Sequence, residues 1–210
     1  MELEQYIRSQ LKKKSICIMT HVIAGYPSFD DNFRELDIMA ENNVDIVEIQ
    51  MPFSEPTADG AVFVRANQES LKRGTTVNKY FEFMQKVAFH FDFPFLMMGY
   101  YNTVFKMGEN AFIDRLKSSG GKGFIIPDLP IEEGVDFYKY AKQNRLAPIA
   151  MMAPTTPNER LKIIGEAGSG FIYVVARKGV TGKQTKFDQI FKDYIKRCHE
   201  ATNLPLAVGF

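Results

Sequence analysis

The chain has 210 residues, of which 45% are hydrophobic and 24% are charged, so it is long enough to bury a core without disulfide or metal support. This composition excludes disordered, collagen-like and mini-protein classes. A formal net charge of +1 provides no overall field for nucleic acid or an anionic membrane, and we expect neither as a partner.

Short apolar runs alternate with helical patterns along the whole chain. Because these runs are nearly continuous in hydrophobicity, they predict parallel strands that are covered on both faces. The predicted strands are residues 16–24, 44–49, 95–100, 124–127, 148–152, 171–175 and 206–208.

Amphipathic helices are predicted between the strands. Two stripes at helical spacing identify them: Val77, Tyr80, Phe81, Met84, Val87 and Ala88 in one, and Phe187, Ile190, Phe191 and Ile195 in the other. Ser28 is a candidate helix N-cap. Near residue 156, Thr156 is a candidate N-cap with Glu159 closing a capping box, and Gly168 is expected to end that helix in the left-handed conformation.

Repeated strand–helix units predict the α/β class and leave two architectures, an open doubly wound sheet and a closed (βα)8 TIM barrel. The unit length favours the barrel, so we expect residues 1–210 to form a single barrel domain. A closed barrel needs eight strands. Since the chain ends with its seventh predicted strand, we expect the eighth strand and the C-terminal helix to be missing and the domain to be incomplete.

Cysteine usage and the amino terminus favour a cytoplasmic protein. Cys17 and Cys198 are far apart in apolar or helical stretches, as is typical of reduced thiols. No apolar window approaches the roughly 20 residues of a membrane span. The histidines show no metal-binding spacing, so we expect no metal site.

Glu48 is the first candidate for chemistry, because it lies among apolar residues near the end of a predicted strand. A buried carboxylate needs either a raised pKa or a cationic partner. A structural ion pair would explain it equally well. The carboxyl end of a barrel strand, however, is where barrel enzymes place their active sites.

Asp59 follows in a proline-containing loop and is the second candidate. Its Asp-Gly sequence is typical of a turn. Together with Glu48, however, it supplies two carboxylates for proton transfer at two places on one substrate. Tyr100 and Asp128 lie at other predicted strand ends, and residues 177–183 form either a surface loop or an active-site lid.

In its motifs the chain resembles the α subunit of tryptophan synthase, and the resemblance extends from the first helix to the end. The motifs are AGYP at 24–27, DIVEI at 45–49, PFS at 52–54, ADG at 58–60, YYN at 100–102, PDLP at 127–130 and RKGVTG at 177–182. The resemblance implies an eight-stranded barrel that cleaves indole-3-glycerol phosphate to indole and glyceraldehyde 3-phosphate.

By this resemblance, Glu48 is the catalytic acid and base, and Asp59 is the carboxylate that contacts the indole N–H. The resemblance also implies a set of substrate-binding residues: Tyr100, Asp128, Tyr173, Thr181, Gly182, Gly209 and Phe210.

The resemblance further implies an α2β2 complex with the tryptophan synthase β subunit. No cofactor is expected in this chain, and pyridoxal phosphate is expected in the β partner. Residues 52–56 and 100–102 are expected to contribute to the surface that faces that partner.

The sequence departs from the family pattern at several positions. Gln50 stands where glycine is usual, so we expect its side chain at the mouth of the pocket, where it could obstruct substrate. Glu55 replaces an aspartate, His21 takes an aromatic position, and residues 64–65 replace a glutamine-containing pattern.

The segments expected to follow Phe210 supply most of the phosphate-binding N–H groups in the family. We therefore keep an alternative, a catalytically degenerate α-like subunit that activates the β partner. Another barrel enzyme acting on a sugar phosphate is less favoured, because it would leave the two carboxylate motifs unexplained.

Overall fold

The structure is a computed structural model that describes residues 2–176 and 188–209. Its strands are β1 Met19–Ile23, β2 Ile46–Gln50, β3 Phe95–Met98, β4 Gly123–Ile125, β5 Ala147–Pro148, β6 Ala150–Met152, β7 Ile172–Val175 and β8 Leu206–Gly209. Its helices are α1 Leu3–Leu11, α2 Phe29–Glu41, α3 Ala61–Lys72, α4 Val77–His90, α5 Tyr101–Met107, α6 Glu109–Ser118, α7 Val135–Gln143, α8 Asn158–Ala167 and α9 Gln189–Ala201.

The strands pair in parallel and in chain order, from β1 through β5 and from β6 through β8. Ile149 alone separates β5 from β6, and its N–H donates to the Phe124 carbonyl at 2.9 Å. These two segments are therefore halves of one barrel strand, which is the strand predicted at 148–152. All seven predicted strands are confirmed, and the alternating parallel units have the (βα)8 barrel fold.

Alternation along each strand separates two hydrophobic cores. On β2, Val47 and Ile49 belong to the larger core between the strands and the surrounding helices. Ile46, on the opposite face, packs in the barrel interior with Leu96 and Ile149. Leu3 and Ile7 of α1 join this inner core and cover the amino end of the barrel.

The helix signals in the sequence are confirmed for two helices. The α4 stripe packs as predicted, with Tyr80, Phe81, Met84 and Val87 buried. Ser28 is the N-cap of α2, where its hydroxyl accepts a hydrogen bond from the Asp31 N–H at 3.0 Å.

Two helix predictions are corrected in detail. In α8 the N-cap is Pro157, not Thr156, and Gly168 ends the helix with φ −69° and ψ 170°. The expected left-handed conformation of Gly168 is therefore wrong. A Cβ on Gly168 would lie 2.8 Å from Ile172 Cδ1, so glycine allows close packing against β7 without a shift of the Ile172 side chain.

In α9 the predicted stripe includes Ile190, but that side chain is 78% exposed. The predicted members Phe191 and Ile195 are partly buried against the core, and the fully buried side chains are Tyr194 and Cys198, one helical turn apart. Phe187, another predicted member of the stripe, lies outside the described residues. In the described parts of the chain, no helix combines the length and apolar character needed to cross a membrane.

Candidate active site

The candidate site lies inside the barrel, toward the carboxyl ends of β1 and β2. His21 on β1 is directly opposite Glu48 on β2, and Ile23 is opposite Gln50. Because side chains alternate along a strand, Glu48 and Gln50 point toward the same face, the one that Ile46 directs into the barrel interior. Two inward polar residues on one strand thus form a layer above the apolar inner core.

Glu48 is 5% exposed, and its two carboxylate oxygens have different surroundings. Oε2 lies 2.8 Å from Nδ1 of His21. Oε1 is buried and has no hydrogen-bond partner among the described residues. The partner expected for a buried carboxylate is therefore His21, and one oxygen is left available to a bound molecule.

Gln50 is completely buried and joins the two halves of the site. Its Oε1 lies 2.8 Å from Nε2 of His21, and its Nε2 donates to Asp59 Oδ2 at 2.7 Å. The side chain is thus held at both ends inside the barrel, where the sequence suggested a free side chain at the pocket mouth.

Asp59 is half-buried in the loop between β2 and α3, and Asn67 of α3 holds this loop in place. The fully buried Asn67 accepts a hydrogen bond from the Phe53 N–H at 3.0 Å and donates to the Phe63 carbonyl at 2.8 Å. Its amide nitrogen also lies 3.4 Å from Asp59 Oδ2. Asn67 therefore fixes both ends of the loop that carries Asp59.

Tyr100 is buried on the other side of this loop, where its hydroxyl accepts a hydrogen bond from the Ala58 N–H at 3.1 Å. Its ring stacks on Phe53 with centroids 5.2 Å apart. Burial, and then the negative charge of Asp59, raise the pKa of Tyr100 above its ordinary value. The hydroxyl therefore stays protonated beside the carboxylate.

Tyr173 enters the barrel interior from β7 and packs against the inner core. Burial, and then the charge of Glu48, raise the pKa of Tyr173 above its ordinary value. A Cβ on Gly209 would lie 1.9 Å from the Tyr173 hydroxyl oxygen, so the ring lies directly over this glycine of β8. Tyr173 and Gly209, two residues predicted to bind substrate, therefore lie against each other.

Asp128 is exposed, and its carboxylate accepts the Tyr101 N–H at 2.9 Å and 3.2 Å. This N–H is the first of helix α5, so Asp128 caps that helix from a neighbouring strand end. The remaining predicted binding residues, Thr181, Gly182 and Phe210, lie outside the described residues.

The charge state of His21 follows from its neighbours. Burial lowers the pKa of His21, but the hydrogen bond and the charge of Glu48 outweigh it, with further contributions from Gln50 and Asp59. The pKa of His21 therefore lies above its ordinary value. The Phe63 ring packs edge-on against the imidazole at 5.1 Å and fixes its plane.

The sequence singled out both carboxylates but not the polar side chains that contact them. His21 and Gln50 stood out only as departures from a family pattern, and Asn67 was not singled out. A usable signal existed for His21, since it shares the inward face of β1 with Met19, which packs in the inner core. Over the described residues, no group of three or more His, Cys, Asp or Glu could hold a metal ion.

Comparison with known proteins gives one consistent result. The family model described as tryptophan synthase alpha chain matches residues 7–210. A tryptophan synthase alpha chain from Desulfotalea psychrophila is 50% identical over 210 residues, which are 100% of this chain and 83% of that relative. Another, from Methanocaldococcus jannaschii, is 37% identical over 211 residues and is covered to 75%.

Solved structures agree with these sequence matches. Tryptophan synthase from Mycobacterium tuberculosis superposes with a TM-score of 0.90 at 27% identity, over 99% of this chain and 79% of that one. A structure of the tryptophan synthase a2b2 complex from Pyrococcus furiosus superposes with a TM-score of 0.85 at 28% identity, over 92% and 78%.

Proposed function

The chain belongs to the tryptophan synthase alpha chain family and is a lyase of tryptophan biosynthesis; from this premise we propose that it cleaves indole-3-glycerol phosphate to indole and glyceraldehyde 3-phosphate. Glu48 is the acid and base of this retro-aldol reaction, and Asp59 is its electrostatic partner. The reaction uses no cofactor in this chain.

The observation that carries the proposal is the buried, unpartnered Oε1 of Glu48. A buried acceptor without a donor costs about 1–3 kcal/mol, and such a cost is typical of groups reserved for a ligand. Its sister oxygen is fixed by His21 at 2.8 Å, so the free oxygen has a defined direction. This arrangement supports proton exchange between Glu48 and a substrate in the barrel.

Cleavage requires two proton transfers that balance one another. Glu48 donates a proton to indole C3, and the ring becomes a cation with its charge on the indole nitrogen. Glu48 then accepts the proton of the side-chain hydroxyl on the carbon next to the ring. The carbon–carbon bond breaks, its electron pair returns to the ring, and indole and the aldehyde leave with Glu48 restored.

Asp59 acts at the other end of the ring. As a carboxylate it accepts a hydrogen bond from the indole N–H and stabilises the positive charge that develops on the ring when C3 is protonated. The hydrogen bonds from Gln50 and Asn67 to its Oδ2 support this role, because they hold the carboxylate in place before substrate binds.

The binding surface in this proposal combines residues of several strand ends. Tyr100, which is buried, lies beside Asp59, and Tyr173, which is half-buried, lies near Glu48, and these positions support contacts with the indole ring. We assign Gly209 and Phe210 to the phosphate side, and Thr181 and Gly182 to the lid. Asp128 lies next to this pocket and acts through α5.

The partner in this proposal is a pyridoxal-phosphate-dependent β subunit in an α2β2 complex, with residues 52–56 and 100–102 at the contact. The Pyrococcus furiosus neighbour, which is described as an a2b2 complex, supports it. Two free cysteines, Cys17 and Cys198, support the proposed cytoplasmic location.

Glu48→Gln tests the chemistry, because glutamine keeps the size of the side chain but cannot shuttle a proton. We expect indole release to fall by at least about a hundredfold, with unchanged circular dichroism. The measurement is the rate of indole formation from indole-3-glycerol phosphate. Mixed with the β subunit, the variant should still stimulate the β reaction.

The matched control is Glu41→Gln, an exposed residue at the carboxyl end of α2, before β2 begins. It should release indole at the rate of the unchanged protein. Substantial turnover by Glu48→Gln would refute the assignment of the acid and base. Stimulation of the β reaction by an unchanged protein that releases no indole would favour the degenerate activator instead.

A further inference from the structure

Four side chains form one continuous hydrogen-bonded series across the site. It runs from Glu48 to His21 at 2.8 Å, from His21 to Gln50 at 2.8 Å, and from Gln50 to Asp59 at 2.7 Å. All four belong to β1, β2 and the loop after β2. The two carboxylates are therefore joined through an imidazole and an amide.

The direction of each hydrogen bond follows from the donors that are available. An ionised Asp59 can only accept, so the Gln50 atom facing it is the amide nitrogen, and Asn67 adds a second donor amide. Gln50 therefore turns its carbonyl oxygen toward His21. Because that oxygen can only accept, Nε2 of His21 must carry a hydrogen.

With Nε2 protonated, the bond between His21 and Glu48 has two forms. Either Nδ1 of a cationic His21 donates to a Glu48 carboxylate, or a neutral Nδ1 accepts from a protonated Glu48 Oε2. Both forms contain the same number of protons. The pair thus holds one shared proton between Nδ1 and Oε2.

We propose that His21 and Gln50 are positioning residues of the reaction, which keep one exchangeable proton on the Glu48–His21 pair and orient that pair through Asp59. The catalytic consequence rests on the proposed function, whereas the shared proton rests on the geometry alone.

The series explains how one carboxyl group can serve first as an acid and then as a base. The Glu48 carboxyl group presents the shared proton to the substrate by turning about its Cγ–Cδ bond, which exchanges the places of Oε1 and Oε2. Once the proton has passed to indole C3, Nδ1 of His21 and a carboxylate oxygen are left as two acceptors that face each other across this 2.8 Å contact. Their repulsion makes the pair a stronger base, so it takes the hydroxyl proton of the substrate. One proton leaves the pair and one returns in each turnover.

The charged and titratable groups that face the pair come from three further elements. Asp59 of the loop before α3 acts on His21, Tyr173 of β7 lies near Glu48, and Tyr100 after β3 acts on Asp59. The pKa values of both tyrosines are raised, so they remain neutral near pH 7, and Asp59 contributes the negative charge that favours a protonated pair.

His21→Asn tests the proposal through the pH profile of the reaction. The asparagine amide nitrogen can still donate a hydrogen bond to Glu48 from the place of Nδ1, but the amide has no titratable proton. We expect the alkaline limb of kcat to move down by about one pH unit, with KM changed less than twofold. A structural role alone would leave the position of this limb unchanged.

His199→Asn is the matched control, since it makes the same change on an exposed histidine of α9. It should leave the profile where it is. An alkaline limb that is the same in His21→Asn, His199→Asn and the unchanged protein would overturn the proposal.

Nitrogen NMR of 15N-histidine-labelled protein tests the shared proton without any activity measurement. The chain has three histidines, and the His21 signal is the one lost in His21→Asn. In the unchanged protein we expect Nε2 of His21 to carry a hydrogen at every pH measured. In Glu48→Gln we expect the titration midpoint of His21 to move to lower pH. In Gln50→Met the hydrogen should no longer be confined to Nε2 of His21, because methionine fills the space but accepts no strong hydrogen bond.

An His21 tautomer with hydrogen on Nδ1 alone, or a titration unaffected by Glu48→Gln, would refute the series. If these signals behave as expected but the protein releases no indole, the proposed function fails and the shared proton stands. If indole is released normally but the NMR signals do not behave as expected, the proposed function stands and the shared proton is refuted.

Discussion

At Glu48, burial and chemistry make opposite demands on one carboxylate. Burial favours pairing both oxygens, whereas proton exchange with a substrate requires one of them to be free. The two oxygens meet these requirements separately. Oε2 is paired with His21, and Oε1 has no hydrogen-bond partner among the described residues. At Gly209 the absence of a side chain leaves room for the Tyr173 ring.

Gly209→Ala is expected to displace the Tyr173 ring, because the new Cβ would lie 1.9 Å from its hydroxyl oxygen. Overpacking of this kind costs about 1–3 kcal/mol unless the ring moves. We expect an increased KM for indole-3-glycerol phosphate, measured by steady-state kinetics. Val208→Ala, at an exposed neighbouring position, should change KM little. An unchanged KM in Gly209→Ala would contradict the assignment of Tyr173 and Gly209 to the binding surface.

Single elements contribute to the site through their ends. Helix α5 has seven residues, and its N-cap Tyr100 makes no side-chain cap hydrogen bond. Asp128 supplies that acceptor from the end of the neighbouring strand β4, so the helix start, and with it Tyr100, is fixed across two βα units. A short helix needs such a contact, because most of its N–H groups lie in the first turn.

Asp128→Ala is expected to lower the free energy of unfolding by about 1 kcal/mol, the usual cost of losing a helix cap. Urea denaturation measures this loss. Asp128→Asn, which keeps one acceptor oxygen, should lose less. A KM increase in Asp128→Ala without any change in stability would mean that Asp128 contacts substrate and that its cap is unimportant.

The whole molecule places the polar layer where water and the inner core meet. α1 covers the amino end of the barrel with Leu3 and Ile7, and the apolar interior continues through Leu96 and Ile149 to the layer that contains His21 and Glu48. Charges in this layer are only partly shielded by water, so their interactions are stronger than on the surface. The charge of His21 therefore contributes to the stability of the folded chain.

The pH dependence of stability follows from the raised pKa of His21. A raised folded pKa gives a stabilisation that is fully present below the unfolded value of about 6.5 and is lost as pH rises through the folded value. The difference in unfolding free energy between the unchanged protein and His21→Asn should thus shrink as pH increases above about 6.5. Urea denaturation across this range measures it. A flat difference for His21→Asn would contradict a charged, paired His21.

The succession of strands and helices and the two candidate carboxylates could be predicted from the sequence. Apolar runs and helical stripes are local patterns, and burial of a repeated βα unit leaves few architectures for them. Ser28 as a helix cap and the α4 stripe were confirmed for the same reason. Glu48 was recognisable because an acid inside an apolar strand is costly wherever the strand packs.

The surroundings of those carboxylates could not be predicted from the sequence, because they depend on how the barrel packs. The pairing of His21 with Glu48 depends on the register between β1 and β2, which lies outside any local pattern. The positions of Gln50 and Asn67 depend on how the loop before α3 folds back over the barrel, and the function of Asp128 depends on a helix that follows a different strand. Hydrogen bonds between residues distant in sequence depend on the packing of the whole barrel, so they leave no local pattern in the sequence.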